Sequence, residues 1–410
     1  MKIKFLLTVF TIITSFTSTF LFSGDLEVVG SQNFNSANTD DIRISDKDVQ
    51  ATSGIPNYYG VLLNSNLTGD NADIINSTIY SPTADAIEIN TTSGQFRGVK
   101  IIGNTLYGGE DGTSSSAGFS IGIAEGKDMT IVGNIAKVSR QEALHIEDDQ
   151  ENITAGNNVF VRCMEDGARI LNRSAADPIL LNGNVFVKDS ASYHQGNGIM
   201  LVYDSNGIIN SCVFTANRIV GFGYGLNAPS TTRISFDNNL IEDCTVAIRN
   251  LKGRIHGTTF TRDCPTLLEA GNGSMTEKIV SHTTPTTILS FVGNSSYTGA
   301  TLKGFAYPLN TSTSTGYNTV ELFELPDKLN GRVTVQLTTG SYDHVYYSAM
   351  VNWNGSSMTT YDIIKNNGGV VAAPSFVLDE STNTLGLRIY SAAGRTLKGD
   401  LEFDGVYYQR

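Results

Sequence analysis

The densest set of groups able to do acid–base chemistry in this sequence is Arg140-Gln141-Glu142-Ala143-Leu144-His145-Ile146-Glu147-Asp148-Asp149-Gln150-Glu151. If the segment is a strand with Ile146 facing a core, the period of two turns His145 and Glu147 outward together. Two carboxylates about 5 Å apart suit retaining cleavage of a glycosidic bond, and about 6.5 to 9.5 Å suits inversion; a base beside a metal or an arginine suits elimination. We expect Glu147 to give or take the proton and Asp148 or Asp166 to be its carboxylate partner. His145 and Arg169 would orient substrate or stabilise charge. Tyr203, Asp204 and Tyr224 are the further expected substrate contacts, since sugar rings stack on aromatic faces while their hydroxyls hydrogen-bond to polar groups. Tyr193, His194 and Phe222 on loops, with Trp353, Tyr346 and Tyr347 near the C-terminus, are secondary candidates. A plainer reading takes the acids as solvated turn residues and His145 as a surface ladder position.

These residues can act together only if the fold brings them back to one face, and an internal repeat supplies that. The segments Val99 to Asn104, Thr130 to Asn134, Ile153 to Val161, Ile179 to Val187 and Ile234 to Ile241 each read as strand, polar corner, strand. Ile208 to Phe214, with Cys212 at the corner, and Ile255 to Phe260, with Thr259 there, are weaker copies. Corners at 104, 134, 158, 184, 212, 239 and 259 are about 20 to 30 residues apart, the length of one three-strand coil with a variable loop. Asn at a corner tolerates the left-handed backbone and can ladder with its stacked neighbours. The expected fold is therefore all-β: a right-handed parallel β-helix over 61–275.

A second strand series runs Ala86 to Ile89, Gly118 to Ile121, Ala143 to Ile146, Ala168 to Ile170, Gly198 to Leu201, Gly225 to Asn227 and Ala247 to Arg249. Its third positions, Glu88, Ser120, His145, Arg169, Met200, Asn227 and Arg249, should form one exposed column. Coils repeat about every 4.8 Å, which stacks Asp166 near Glu142 and Arg169 near His145.

The repeat resembles the pectate-lyase-like right-handed β-helix superfamily over about half of the chain, in architecture and not in catalytic signature. A polygalacturonase-like order of motifs is missing: Asp148-Asp149 lacks a following Gly-His-Gly, and Asn38-Thr39-Asp40 precedes the helix. After a Ser- and Thr-rich junction at 276–318, alternating strands such as Arg332 to Leu337, His344 to Val351 and Leu385 to Tyr390 suit an antiparallel β-sandwich over 319–410. A β-helix followed by a small sandwich resembles the layout of bacteriophage tailspike and receptor-binding tail proteins. That resemblance implies a homotrimer on the virion surface that binds host glycan, with hydrolysis and elimination both open. A secreted pectate-lyase-like enzyme and a non-catalytic adhesin are the alternatives.

Composition bounds these readings. With 40% apolar and 17% charged residues and a formal net charge of -12, the chain repels phosphate backbones, so no nucleic-acid partner is expected and a polysaccharide or surface glycan fits better. Cys163, Cys212, Cys244 and Cys264 form no metal-ligand spacing with the histidines, and neither metal nor cofactor is expected. Cys244 and Cys264 should lie on neighbouring coils, where a disulfide is permitted and stacked free thiols fit better. Met1-Lys2-Ile3-Lys4 followed by an uncharged run from Phe5 to Phe22 has the layout of a signal or anchor over 1–24, with a 25–60 cap region after it.

Overall fold

The computed structural model describes residues 27–29, 32–34, 41–51, 59–64, 69–90, 96–109, 118–124, 126–148, 151–172, 178–202, 209–229, 232–271, 274–291, 300–326, 328–338, 344–368, 371–391 and 393–409. The apolar N-terminal segment expected at 1–24 lies outside them.

The chain winds as a right-handed parallel β-helix with three ladders of stacked strands. Among the described residues one ladder holds eleven short strands, from Gln32–Phe34 through Ile87–Asn90, Ile121–Ala124, Leu144–Asp148, Ala168–Asn172, Asn197–Leu201 and Tyr224–Ala228 to Thr287–Phe291, each parallel to the next. The others stack Phe96–Ile102, Lys127–Val132, Glu151–Gly156 and Ile179–Asn182, and Thr105–Gly108, Ile135–Ser139, Val159–Cys163 and Val185–Lys188. Alternation sends one side-chain row per strand into a fully buried column: Ile101, Ile131, Ala155, Leu181, Phe214 and Phe236 are each 0% exposed. Phe160 and Phe186 stack on successive coils at 5.1 Å between centroids.

The corner ladder is built from Asn104, Asn134, Asn158, Asn184, Asn217 and Asn239. From Asn134 on, each Oδ1 accepts the backbone N–H and the side-chain amide of the asparagine one coil earlier, as Asn184 does from Asn158 at 3.1 and 2.8 Å, Asn104 Oδ1 accepts the Ser77 N–H, and each Nδ2 donates to a carbonyl of the previous coil. Two expectations are corrected. Asn217 holds the fifth corner, because the residues in left-handed backbone are the ones just before the ladder, Gly103, Gly133, Asn157, Gly183, Ala216 and Asn238 (φ between 53 and 69°). Cys212 instead faces the core, paired in register with Ile234. All four cysteines are buried free thiols.

The parallel ladders run on past 275. Met275–Ser281 pairs with Ala300–Thr313, and Thr266–Ala270 with Thr287–Phe291. The Ser- and Thr-rich sequence there still alternates, burying Ile279, Leu302, Phe305, Tyr307 and Leu309. The other edge of Ala300–Thr313 pairs antiparallel with Arg395–Gln409, so the helix and the C-terminal sandwich share a sheet. That sheet continues through Lys328–Thr338, His344–Trp353 and Met358–Gly368. The facing sheet is Gly316–Glu324, Thr384–Ser391 and Val371–Asp379. Between them Val333, Val335, Val345, Tyr347, Leu387 and Phe403 are buried. Trp353 belongs to this core: it is 5% exposed and donates Nε1–H to Pro326 O at 2.7 Å, so it is a packing residue and not the sugar contact it was a candidate for.

Candidate functional site

The strand Leu144–Asp148 sits in the middle of the eleven-strand ladder, where Ile146 is buried and His145 and Glu147 face outward on the same side. His145 Nε2 is 3.0 Å from Glu147 Oε2, and its Nδ1 makes an ionic contact of 3.6 Å with Glu142 Oε2. One coil on, Arg169 pairs in register with His145, and its guanidinium donates to Glu142 Oε1 at 3.1 Å. Glu142 thus carries two cationic groups on a carboxylate that is only 3% exposed. Burial opposes charging the imidazole, but the Glu142 and Glu147 carboxylates beside it outweigh burial and raise the His145 pKa to about 9. Burial likewise works against the Glu142 anion, yet His145 and Arg169 hold it below the ordinary glutamate range.

The expected column stacks in register but is not exposed: Glu88, His145 and Asn227 are buried and Arg169, Met200 and Arg249 are half-buried. Gly122, not Ser120, lies between Glu88 and His145 in register, and Ser120 is buried. A Cβ at Gly122 would lie 2.0 Å from Glu88 Oε2 and 3.0 Å from the Phe119 ring, so the glycine leaves room for both. Phe119 fills that room and stacks on His145, with centroids 4.3 Å apart and planes 11° from parallel. Asp85 anchors the arriving loop, accepting the backbone N–H of Gly118 at 2.6 Å and of Phe119 at 2.7 Å. Burial raises Asp85 to about 6, against those N–H donors, and burial together with Asp85 pushes Glu88 well above the carboxylate range. Glu88, expected exposed in the column, is buried, and Asp85 beneath the loop has no sequence signal of its own, because the period marks which side a residue faces and not what a loop folds over it. Gly122, a glycine within a strand, was the available signal.

Asp166 lies in the turn before Ala168–Asn172, with Oδ1 accepting the N–H of Asn197 at 2.7 Å and its side-chain amide at 2.8 Å. Burial raises its pKa despite those donors, and Glu142 adds to the rise. Asn197 Oδ1 in turn accepts from Asn227 at 2.7 Å. Tyr224 pairs in register with Asn197, and the Arg249 guanidinium lies 5.0 Å from its ring centroid. The structure therefore gathers Glu142, His145, Glu147, Asp166 and Arg169 on adjacent coils, with Tyr224 farther along the same flank. Asp148 ends its strand opposite Asn172, and its side chain lies outside the described residues, as do Tyr203 and Asp204. Phe222 is corrected from a loop contact to a buried residue, with the Lys188 ammonium 5.5 Å from its ring centroid.

The loop before Asn197–Leu201 adds a polar group beside this flank. Tyr193 donates its hydroxyl to Asp243 at 2.6 Å, and His194 Nε2 is 3.3 Å from the same carboxylate. The two rings stack 4.7 Å apart. No group of His, Cys, Asp and Glu among the described residues has the geometry to hold a metal ion.

No family model matches the chain, and no curated protein does. Among solved structures it is similar to a double mutant of the tailspike protein of E. coli bacteriophage HK620, with 11% identity over 94% of this chain and 68% of that one and a TM-score of 0.43. It is also similar to the tailspike protein of Acinetobacter phage vB_ApiP_P1, with 10% identity, 93% and 82% covered and a TM-score of 0.31. A third similar structure is the tailspike protein of Acinetobacter baumannii bacteriophage Fri1, a capsular polysaccharide depolymerase, with 10% identity, 90% and 81% covered and a TM-score of 0.31.

Proposed function

We propose that this protein recognises a surface polysaccharide along the flank of its β-helix, in the manner of a tailspike, as a homotrimer on a virion tail. The observation that carries the reading is the shared carboxylate of Glu142, which holds His145 charged and fixes the Arg169 guanidinium while that side chain stays 43% exposed. A pre-set cation with unspent donors beside Glu147 offers a sugar hydroxyl partners, and Tyr224 farther along the same flank adds an aromatic contact. An open flank with repeating geometry suits a long polymer better than a small molecule.

A homo-oligomer is supported by the sheet edge Met358–Gly368, which pairs only with His344–Trp353 among the described residues. Tyr361, Ile363 and Ile364 are exposed there at 67, 48 and 47%, an apolar edge that a second and third copy would cover.

Cleavage of the bound glycan is a second reading, favoured by one contrast: Glu142 is held ionised, while burial keeps Asp166 on the next coil toward its protonated form. Carboxyl groups pushed apart in this way divide acid and base roles. Asp166 is then the proton donor, and Glu147, which lies outside that contrast, is its carboxylate partner by position on the exposed side of the same flank, with His145 and Arg169 orienting the sugar. Incubating the protein with bacterial and plant polysaccharides, scoring retention and chain cleavage in wild type, Arg169→Ala and Asp166→Asn, tests both readings. Retention lost in Arg169→Ala supports recognition, and cleavage lost in Asp166→Asn with retention kept supports the second. Retention unchanged in Arg169→Ala contradicts the flank as the binding surface.

A further inference from the structure

A groove of about 410 Å³ lies away from the His145 flank, where the helix meets the sandwich. Three adjacent strands make its floor, with Val280 paired to Ala306 and Ala306 to Glu402. Small outward residues create it: Ala306 and, opposite Lys278, Gly304, whose missing side chain lets Phe403 O approach the strand. Val280, Ala306 and Pro308 give an apolar floor, and Lys278, His282, Asp400 and Glu402 form the rim.

The rim is part bound and part unspent. Lys278 ties Glu402 at 2.5 Å across the two halves of the fold. His282 stacks on Phe260 with centroids 6.1 Å apart and planes 15° from parallel, extending a flat surface beside the groove. The Asp400 carboxylate and the His282 ring nitrogens have no hydrogen-bond partner among the described residues, and both side chains are exposed. A second hollow of about 350 Å³ follows along the same strand, beginning where Thr284 donates its hydroxyl to Pro308 O at 2.7 Å.

The geometry points to a second carbohydrate-binding site in this groove, taking a neutral sugar chain. The apolar floor accepts the C–H face of a sugar ring, Asp400 and His282 take its hydroxyls, and the two rim carboxylates disfavour an anionic ligand. The inference rests on the proposed role in glycan recognition and adds a separate place for it.

The test is an array of immobilised bacterial and plant polysaccharides probed with the full chain as wild type, Ala306→Trp, Asp400→Asn and Arg169→Ala, each checked for a wild-type melting curve and oligomer mass. Ala306→Trp fills the groove, and Asp400→Asn is an isosteric change at an exposed position that keeps the fold testable should the tryptophan variant fail to form. A neutral polysaccharide bound tenfold more weakly by Ala306→Trp and at least threefold more weakly by Asp400→Asn supports the site. Wild-type binding of every glycan by Asp400→Asn overturns it. So does an altered oligomer mass in Ala306→Trp with glycan binding intact, which assigns the groove to subunit contact. If Arg169→Ala loses binding while both groove variants keep it, this inference fails and the flank reading stands; if wild type binds no glycan, both fail.

Discussion

His145 and Arg169 stand in register on successive coils and reach the same carboxylate, Glu142, one oxygen each, at 3.6 and 3.1 Å. One buried anion therefore sets the charge of the imidazole and the direction of the guanidinium. Removing it should disturb both. In Glu142→Gln the His145 pKa should fall from about 9 toward the ordinary histidine value, read by imidazole NMR titration. Glycan binding should weaken about tenfold as Arg169 loses its anchor, a loss of roughly 1.4 kcal/mol. An unmoved titration would show that Glu147 alone holds the proton.

His145 and Glu88 give a pH dependence of stability. His145 has a folded pKa raised above its unfolded value, so its contribution is full below about 6.5 and fades as pH rises through about 9. Glu88 is also raised in the fold, so its contribution is likewise greatest at low pH and is lost as the pH climbs past the ordinary carboxylate range and the buried group must ionise. Glu88→Gln should therefore raise the melting temperature at pH 8, a gain on the order of 1 kcal/mol or more, and change little at pH 4. A variant destabilised equally at both pH values would contradict a buried carboxyl that resists ionisation.

The asparagine ladder should be a main source of stability at the helix corner. Asn184→Ala strips the acceptor from the Asn158 N–H and side-chain amide and leaves the Ala155 carbonyl without its donor. Stranding buried polar groups costs about 1 to 3 kcal/mol each, so a loss of more than about 2 kcal/mol is expected in denaturant unfolding. Asn310→Ala, at an exposed position, serves as the control and should stay within about 0.5 kcal/mol of wild type.

The exposed edge at Tyr361, Ile363 and Ile364 predicts a trimer mass in light scattering. Replacing both isoleucines by lysine places charge on the apolar edge and should shift the mass toward the monomer. A wild-type monomer at micromolar concentration would remove the tailspike-like assembly.

Much of this fold was legible because a parallel solenoid turns sequence period into spatial register. Once Ile146 is inward, His145 and Arg169 must meet, and Asp166 must come near Glu142. Legibility failed where loops intervene. The sequence alignment of the coil after Glu88 slipped by two residues, which put Ser120 where Gly122 stands. The corner at Asn217 was passed over because Ala216, not glycine, takes the left-handed backbone before it. The role of Asp85 and the burial of Glu88 were not legible, because nothing in an ordinary Asp-Ala-Ile-Glu run tells that Phe119 will fold over it.

The most direct measurement is retention of the protein on a panel of immobilised polysaccharides, comparing wild type with Arg169→Ala and Glu147→Gln. Flank recognition predicts that a glycan held by wild type is held at least tenfold more weakly by Arg169→Ala and measurably more weakly by Glu147→Gln. Equal retention of that glycan by all three proteins would contradict it.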